Sequence, residues 1–122
     1  MILNHLDLQV SDISASRRFF ETYFGLVCSF ERPGAIVLME DESGFCFGLS
    51  NLHGLPPPVY PPDFHIGFIL EEERQVREIY DRVRADGIGI HFALTTAANN
   101  LFFQCLAPDG IPVEVRSPLQ EH

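Results

Sequence analysis

His5-Leu6-Asp7-Leu8-Gln9-Val10 reads as a β-strand, with Leu6, Leu8 and Val10 on one face and His5, Asp7 and Gln9 on the other. The pattern returns at His65-Ile66-Gly67-Phe68-Ile69-Leu70, again a histidine followed by alternating apolar residues. What lies beyond each strand repeats as well. After the first, Ser11-Asp12 supplies helix-capping chemistry, and Phe19, Phe20, Tyr23 and Phe24 fall at helical spacing from about Ile13 to Phe24, with Gly25 as the stop. After the second, Val76, Ile79, Tyr80 and Val83 form one stripe of a helix expected over Glu71 to Asp86, with Gly87 as its stop.

Three short strand patterns then follow in each half. In the first they lie near Leu26–Glu31, Ala35–Glu40 and Phe45–Ser50, joined by the turn formers Pro33-Gly34 and Asp41-Glu42-Ser43-Gly44. In the second they lie near Ile88–Ala93, Leu101–Leu106 and Ile111–Arg116. Residues 93–100 are expected as a loop, Asn99-Asn100 as turn residues, and Pro108-Asp109-Gly110 as the last turn. Each half therefore reads βαβββ, an internal duplication with a period of about 60 residues. The fold class is α+β: module 1 spans about 3–50, a Pro-rich linker about 51–63, and module 2 about 64–117, within one domain over 1–122.

Composition agrees with one compact domain and narrows the function. The chain has 122 residues, 46 % hydrophobic and 20 % charged, enough apolar content for a core without disulfide or metal staples. Seventeen acids against eight bases give a net charge of −9, and every base is arginine. Nucleic-acid binding needs dense basic fields, so it is not expected. The absence of lysine excludes Schiff-base catalysis and a phosphate-binding P-loop lysine. Cys28, Cys46 and Cys105 are odd in number and widely spaced, which suits free thiols in a cytoplasmic protein. No apolar run approaches a membrane span, and Met1-Ile2-Leu3-Asn4-His5 lacks the marks of a signal peptide.

The duplication also organises the polar residues. If the halves are related by a pseudo-twofold axis, His5 and His65 are counterparts. Gly48 and Glu114 each lie four residues beyond a turn glycine, Gly44 and Gly110, so they too are counterparts. Alternation places Glu114 and Arg116 opposite the apolar Ile111, Val113 and Val115, on the side of the histidines. A strand histidine or a strand-end glutamate alone is usually structural. Two imidazoles and a carboxylate at matched positions instead form a three-ligand set for a divalent metal with coordination positions left open.

On Asn4 to Asp12, Ser16, Phe19-Phe20, Phe24-Gly25-Leu26, His65 to Phe68, Pro108-Asp109-Gly110 and Val113-Glu114-Val115, the chain resembles the vicinal oxygen chelate superfamily over about residues 3–117. That group includes glyoxalase I, extradiol dioxygenases, fosfomycin-modifying enzymes and bleomycin-binding resistance proteins. The resemblance implies a cupped mixed sheet with helices on its outer face. It also implies a metal held by His5, His65 and Glu114. It departs from glyoxalase I, whose fourth ligand is a glutamate where this chain has Gly48. It departs from the fosfomycin enzymes, which carry threonine where this chain has Asp7.

The leading expectation is a small metal-dependent enzyme, dioxygenase-like or lyase/isomerase-like, with Fe(II) favoured and Mn(II) or Zn(II) as alternatives. Asp7 and His91 are candidates for proton transfer beside Glu114, and Arg116 and Tyr60 for substrate binding. A bleomycin-type drug-binding protein without chemistry is the alternative, for which the eleven phenylalanines would suit an aromatic ligand. A domain that only dimerises or regulates a partner is the third reading. The expected partners are a small molecule and a second copy of the chain.

Overall fold

A computed structural model describes residues 1–119; the last three residues assigned to the domain, 120–122, lie outside the described part. The elements run β1 (His5–Gln9), α1 (Ile13–Phe24), β2 (Val27–Arg32), β3 (Ile36–Glu40), β4 (Cys46–Ser50), β5 (Ile66–Ile69), α2 (Glu73–Ala85), β6 (Ile90–Ala97), β7 (Asn100–Leu106) and β8 (Pro112–Arg116). They fall into two compact units that divide between Val59 and Tyr60. Each unit is a βαβββ module with its own four-stranded mixed sheet, ordered β1-β4-β3-β2 in module 1 and β5-β8-β7-β6 in module 2. The first strand of each pairs in parallel with the last, and the other pairings are antiparallel.

Module 1 packs its helix on one face of its sheet. Asp12 caps α1 by accepting a hydrogen bond from the Ala15 amide at 3.0 Å, and Gly25 ends the helix at φ 65°. Phe19 and Phe20 turn inward, and the Phe20 ring meets Phe47 of β4 edge-on at 4.9 Å. Leu8, Val10, Val37, Met39 and Leu49 complete this core. Leu6, expected on the same buried face, is 39 % exposed.

Module 2 repeats the arrangement with different residues. Glu72 and Gln75 form a capping box at the start of α2, so the helix begins at Glu73 and not at Glu71. Val76 and Val83 are fully buried, and Tyr80 packs on Phe103 of β7 at 5.0 Å. The expected loop at 93–100 is instead a hairpin: β6 continues to Ala97, and Ala98 and Asn99 turn the chain with φ of 49° and 65°. Paired positive φ values are what a two-residue hairpin turn requires. Asn99 is thus a turn residue, whereas Asn100 is a buried member of β7. The last turn, Pro108–Gly110, is a tight turn in which Asp109 takes φ 68° and the Gly110 amide donates to the Ala107 carbonyl at 3.0 Å.

The face of each sheet away from its helix carries a matching transverse row. In module 1 strand pairing aligns Asp7, Gly48, Leu38 and Phe30; in module 2 it aligns Gly67, Glu114, Gln104 and Phe92. Each row ends on a phenylalanine that follows a β-bulge and is 51 % exposed. The duplication therefore extends to the irregularities of the sheets.

Candidate functional site

Module 2 holds a cavity of about 300 Å³ lined by His65, Gly67, Phe68, Ile69, Glu114 and Arg116. Strand pairing builds it. Gly67 lies beside Glu114, and Ile69 beside Arg116, so the absence of a side chain at 67 leaves the Glu114 carboxylate uncovered from that side. A Cβ at 67 would lie 3.8 Å from the Glu114 Cβ, an ordinary contact.

Two side chains are held ready. The His65 Nδ1 lies 3.1 Å from the Asp63 carbonyl oxygen. A carbonyl only accepts, so Nδ1 carries the proton and the neutral ring keeps its lone pair on Nε2, the form that ligates a cation. On β7, Gln104 is buried and its Nε2 donates to the Glu114 Oε1 at 3.2 Å, fixing the carboxylate. Gln104 was not singled out from the sequence. Its signal is a polar residue inside the apolar run Leu101–Leu106, but its partner is visible only in the strand register.

Arg116 stands on the same face two residues beyond Glu114, beside Ile69 on β5 and Phe102 on β7. Among the described residues it forms no ion pair, whereas Arg17 bridges Glu21 and Glu31, and Arg74 bridges Glu72 and Glu78. An exposed guanidinium beside a cavity suits an anionic group.

Module 1, taken by itself, carries a polar pair on β1. The His5 Nδ1 donates to the Asn4 side-chain oxygen at 2.8 Å, which again leaves Nε2 as the unprotonated nitrogen of the neutral ring. Asp7 accepts a hydrogen bond from the Ser50 hydroxyl at 2.9 Å through Oδ2.

The remaining candidates lie apart from the cavity lining. His91 sits exposed at the β6 bulge with its ring 4.6 Å from that of Phe92. Tyr60 stacks on Phe64 at 4.9 Å. Among the described residues, no three His, Cys, Asp or Glu side chains converge into a finished cation cluster. His65 and Glu114 are the pair the structure brings to one cavity. Their chemistry, an imidazole whose Nδ1 is engaged by a carbonyl so that Nε2 faces away from it, and a fixed carboxylate, fits a divalent cation.

The model of the Glyoxalase/Bleomycin resistance protein/Dioxygenase superfamily matches residues 2–115. No curated protein matches the chain. Among solved structures, a possible glyoxalase from Bacillus cereus is 39 % identical with a TM-score of 0.82, covering 94 % of this chain and 97 % of its own. Lactoylglutathione lyase from Agrobacterium tumefaciens is 20 % identical with a TM-score of 0.75, covering 96 % of this chain and 92 % of its own. The genomically encoded fosfomycin resistance protein FosX from Listeria monocytogenes is 18 % identical with a TM-score of 0.76, covering 97 % and 95 %. At these identities the last two share the fold alone with this chain.

Proposed function

The chain belongs to the glyoxalase/bleomycin resistance protein/dioxygenase superfamily, and from that premise we propose that it is a small metal-dependent enzyme. It uses His65 and Glu114 of module 2 with His5 of module 1 to hold a divalent cation that chelates vicinal oxygens of a small organic substrate. The reaction is dioxygenase-like or lyase/isomerase-like. Fe(II) is favoured, and Mn(II) and Zn(II) suit the same donors. The cation, when bound, supplies Lewis acidity to the substrate oxygens. The chain's own residues do the rest. Gln104 keeps the Glu114 carboxylate oriented, and Arg116 binds an anionic portion of the substrate beside Ile69 and Phe102.

The observation that carries this reading is the pairing of His65 and Glu114 at one cavity, each already oriented by a hydrogen bond. The test is metal binding. Chelator-stripped protein is titrated anaerobically with Fe(II), Mn(II) and Zn(II), with His65→Ala as control. Stoichiometric binding lost in the variant is the expected result, followed by oxygen uptake with catechols for the dioxygenase form. No binding by the wild type would sink the reading.

The second reading is a drug-binding protein of the bleomycin type, without chemistry. The exposed phenylalanines that end both rows, Phe30 and Phe92, favour it as surfaces for an aromatic ligand. Affinity for such a ligand that survives chelator would separate it from the enzyme.

A further inference from the structure

Among the described residues, Arg116 is the one permanently charged cation in the lining of the module 2 cavity. Its backbone is fixed. The Arg116 carbonyl accepts from the Leu70 amide at 2.9 Å. The next residue, Ser117, is buried; its amide donates to the Leu101 carbonyl at 2.9 Å, and its hydroxyl accepts from the Leu101 amide at 3.0 Å. The end of β8 is thus tied on both sides. The guanidinium nevertheless has no acidic partner among the described residues, in a chain with seventeen acids and eight bases. Even Glu71, which directly follows Leu70, forms no ion pair with it. Its neighbours across the sheet are instead apolar, Ile69 on β5 and Phe102 on β7, and Ile69 is 61 % exposed. A lone oriented charge set in apolar surface is how a cavity selects an organic ligand with one charged end.

We propose that the module 2 cavity takes a small organic acid: Arg116 binds the carboxylate of the substrate, and His65 and Glu114 face the end that carries the vicinal oxygens. The proposal rests on the reading of the preceding section and names its substrate class, using residues of module 2 alone. Glu114 and Arg116 stand two residues apart on one strand, so they project from the same face with their roots roughly 7 Å apart. That spacing suits a single aromatic ring with its oxygens at one end and a carboxylate at the other. The guanidinium offers two parallel N–H groups that match one planar carboxylate. A dianionic phosphate or phosphonate would set two negative charges against this one cation, with the Glu114 carboxylate close by. Ile69 and Phe102 present apolar surface to the body of the acid.

The experiment compares two probes of one skeleton, 3,4-dihydroxybenzoate and catechol, on the full chain stripped of metal by chelator. Calorimetry gives the affinities, and the arginine side-chain NMR signals report contact with Arg116. The proteins are wild type, Arg116→Gln and Arg116→Lys, each checked for folding by circular dichroism; the side chain is exposed, so both substitutions leave the core untouched. The acid should bind the wild type at least about tenfold more tightly than catechol, about 1.4 kcal/mol, and shift the Arg116 signals. Arg116→Gln should bring the acid down to the affinity of catechol and leave catechol unchanged. Arg116→Lys should keep part of the difference, because it keeps the charge and loses the fork. Equal affinity of the wild type for the two probes, an advantage of the acid that persists in Arg116→Gln, or binding of neither would overturn the proposal. Titration with Mn(II), with His65→Ala as control, tests the cation separately. Mn(II) binding without a preference for the acid overturns the carboxylate subsite and leaves the metal reading standing. Acid binding through Arg116 in a chain that takes up no metal supports the subsite and removes the metal.

Discussion

Single residues in the cores make sharp predictions. The Ser16 hydroxyl on the inner face of α1 is buried and has no hydrogen-bond partner among the described residues. A buried polar group without a partner carries its desolvation cost uncompensated. Ser16→Ala should therefore leave stability unchanged or raise it by up to about 1 kcal/mol, measured by urea unfolding. Burial pushes the Cys105 thiol up to about 11 from its ordinary 9.0. The folded state holds that proton more tightly than the unfolded chain. Its contribution to stability is complete below the ordinary value and is lost as pH rises through about 11. Alkylation of the native protein at mildly alkaline pH should accordingly modify the half-buried Cys28 and Cys46 and spare Cys105 until the chain is unfolded. Mass spectrometry reads the sites.

At the scale of elements, the helix ends and turns decide what the sequence makes legible. Asp12 announces α1 because its capping bond is local, three residues away; Asp12→Ala should cost about 1 kcal/mol. The β3–β4 turn is equally local. Asp41 accepts from the Ser43 hydroxyl at 2.7 Å and from the Ser43 and Phe45 amides at 2.9 and 3.0 Å. These bonds, the Ser43 hydroxyl foremost, hold its carboxyl below the usual range. The resulting stability is present above the ordinary carboxylate pKa and is lost as pH falls through the lowered one. Asp41→Asn should melt below the wild type at neutral pH, with the gap closing in acid. Elements whose cause is not local were harder to read. The β6–β7 turn places Ala98 and Asn99 at positive φ without a glycine to signal it, so the strands were expected too short. The Gln104–Glu114 bond joins residues of neighbouring strands and is invisible until register is known.

For the whole molecule, the repeat was legible because duplication copies spacing. His5 and His65 open β1 and the approach to β5, and Gly48 and Glu114 do occupy matched places on β4 and β8. What spacing could not convey was the steric meaning of Gly48, which depends on an oxygen from another strand. Whether His5 joins the donors of its own chain or of a second copy is a question of assembly. We expect a homodimer. Mixing His5→Ala with Glu114→Ala protein should restore metal binding at a fraction of sites if the donors are shared between chains, and titration of the mixture with Mn(II) measures that fraction.

A Cβ built at Gly48 would stand 2.4 Å from the Asp7 Oδ1, and that clash constrains how this protein could have changed. With Asp7 in its present position, no side chain at 48 can be accommodated unless the aspartate moves, whereas module 2 leaves ordinary room at Gly67. Substitutions at 7 and 48 are therefore interdependent, and their order matters. Any side chain gained at 48 therefore swings the Asp7 carboxylate away from its bond to Ser50.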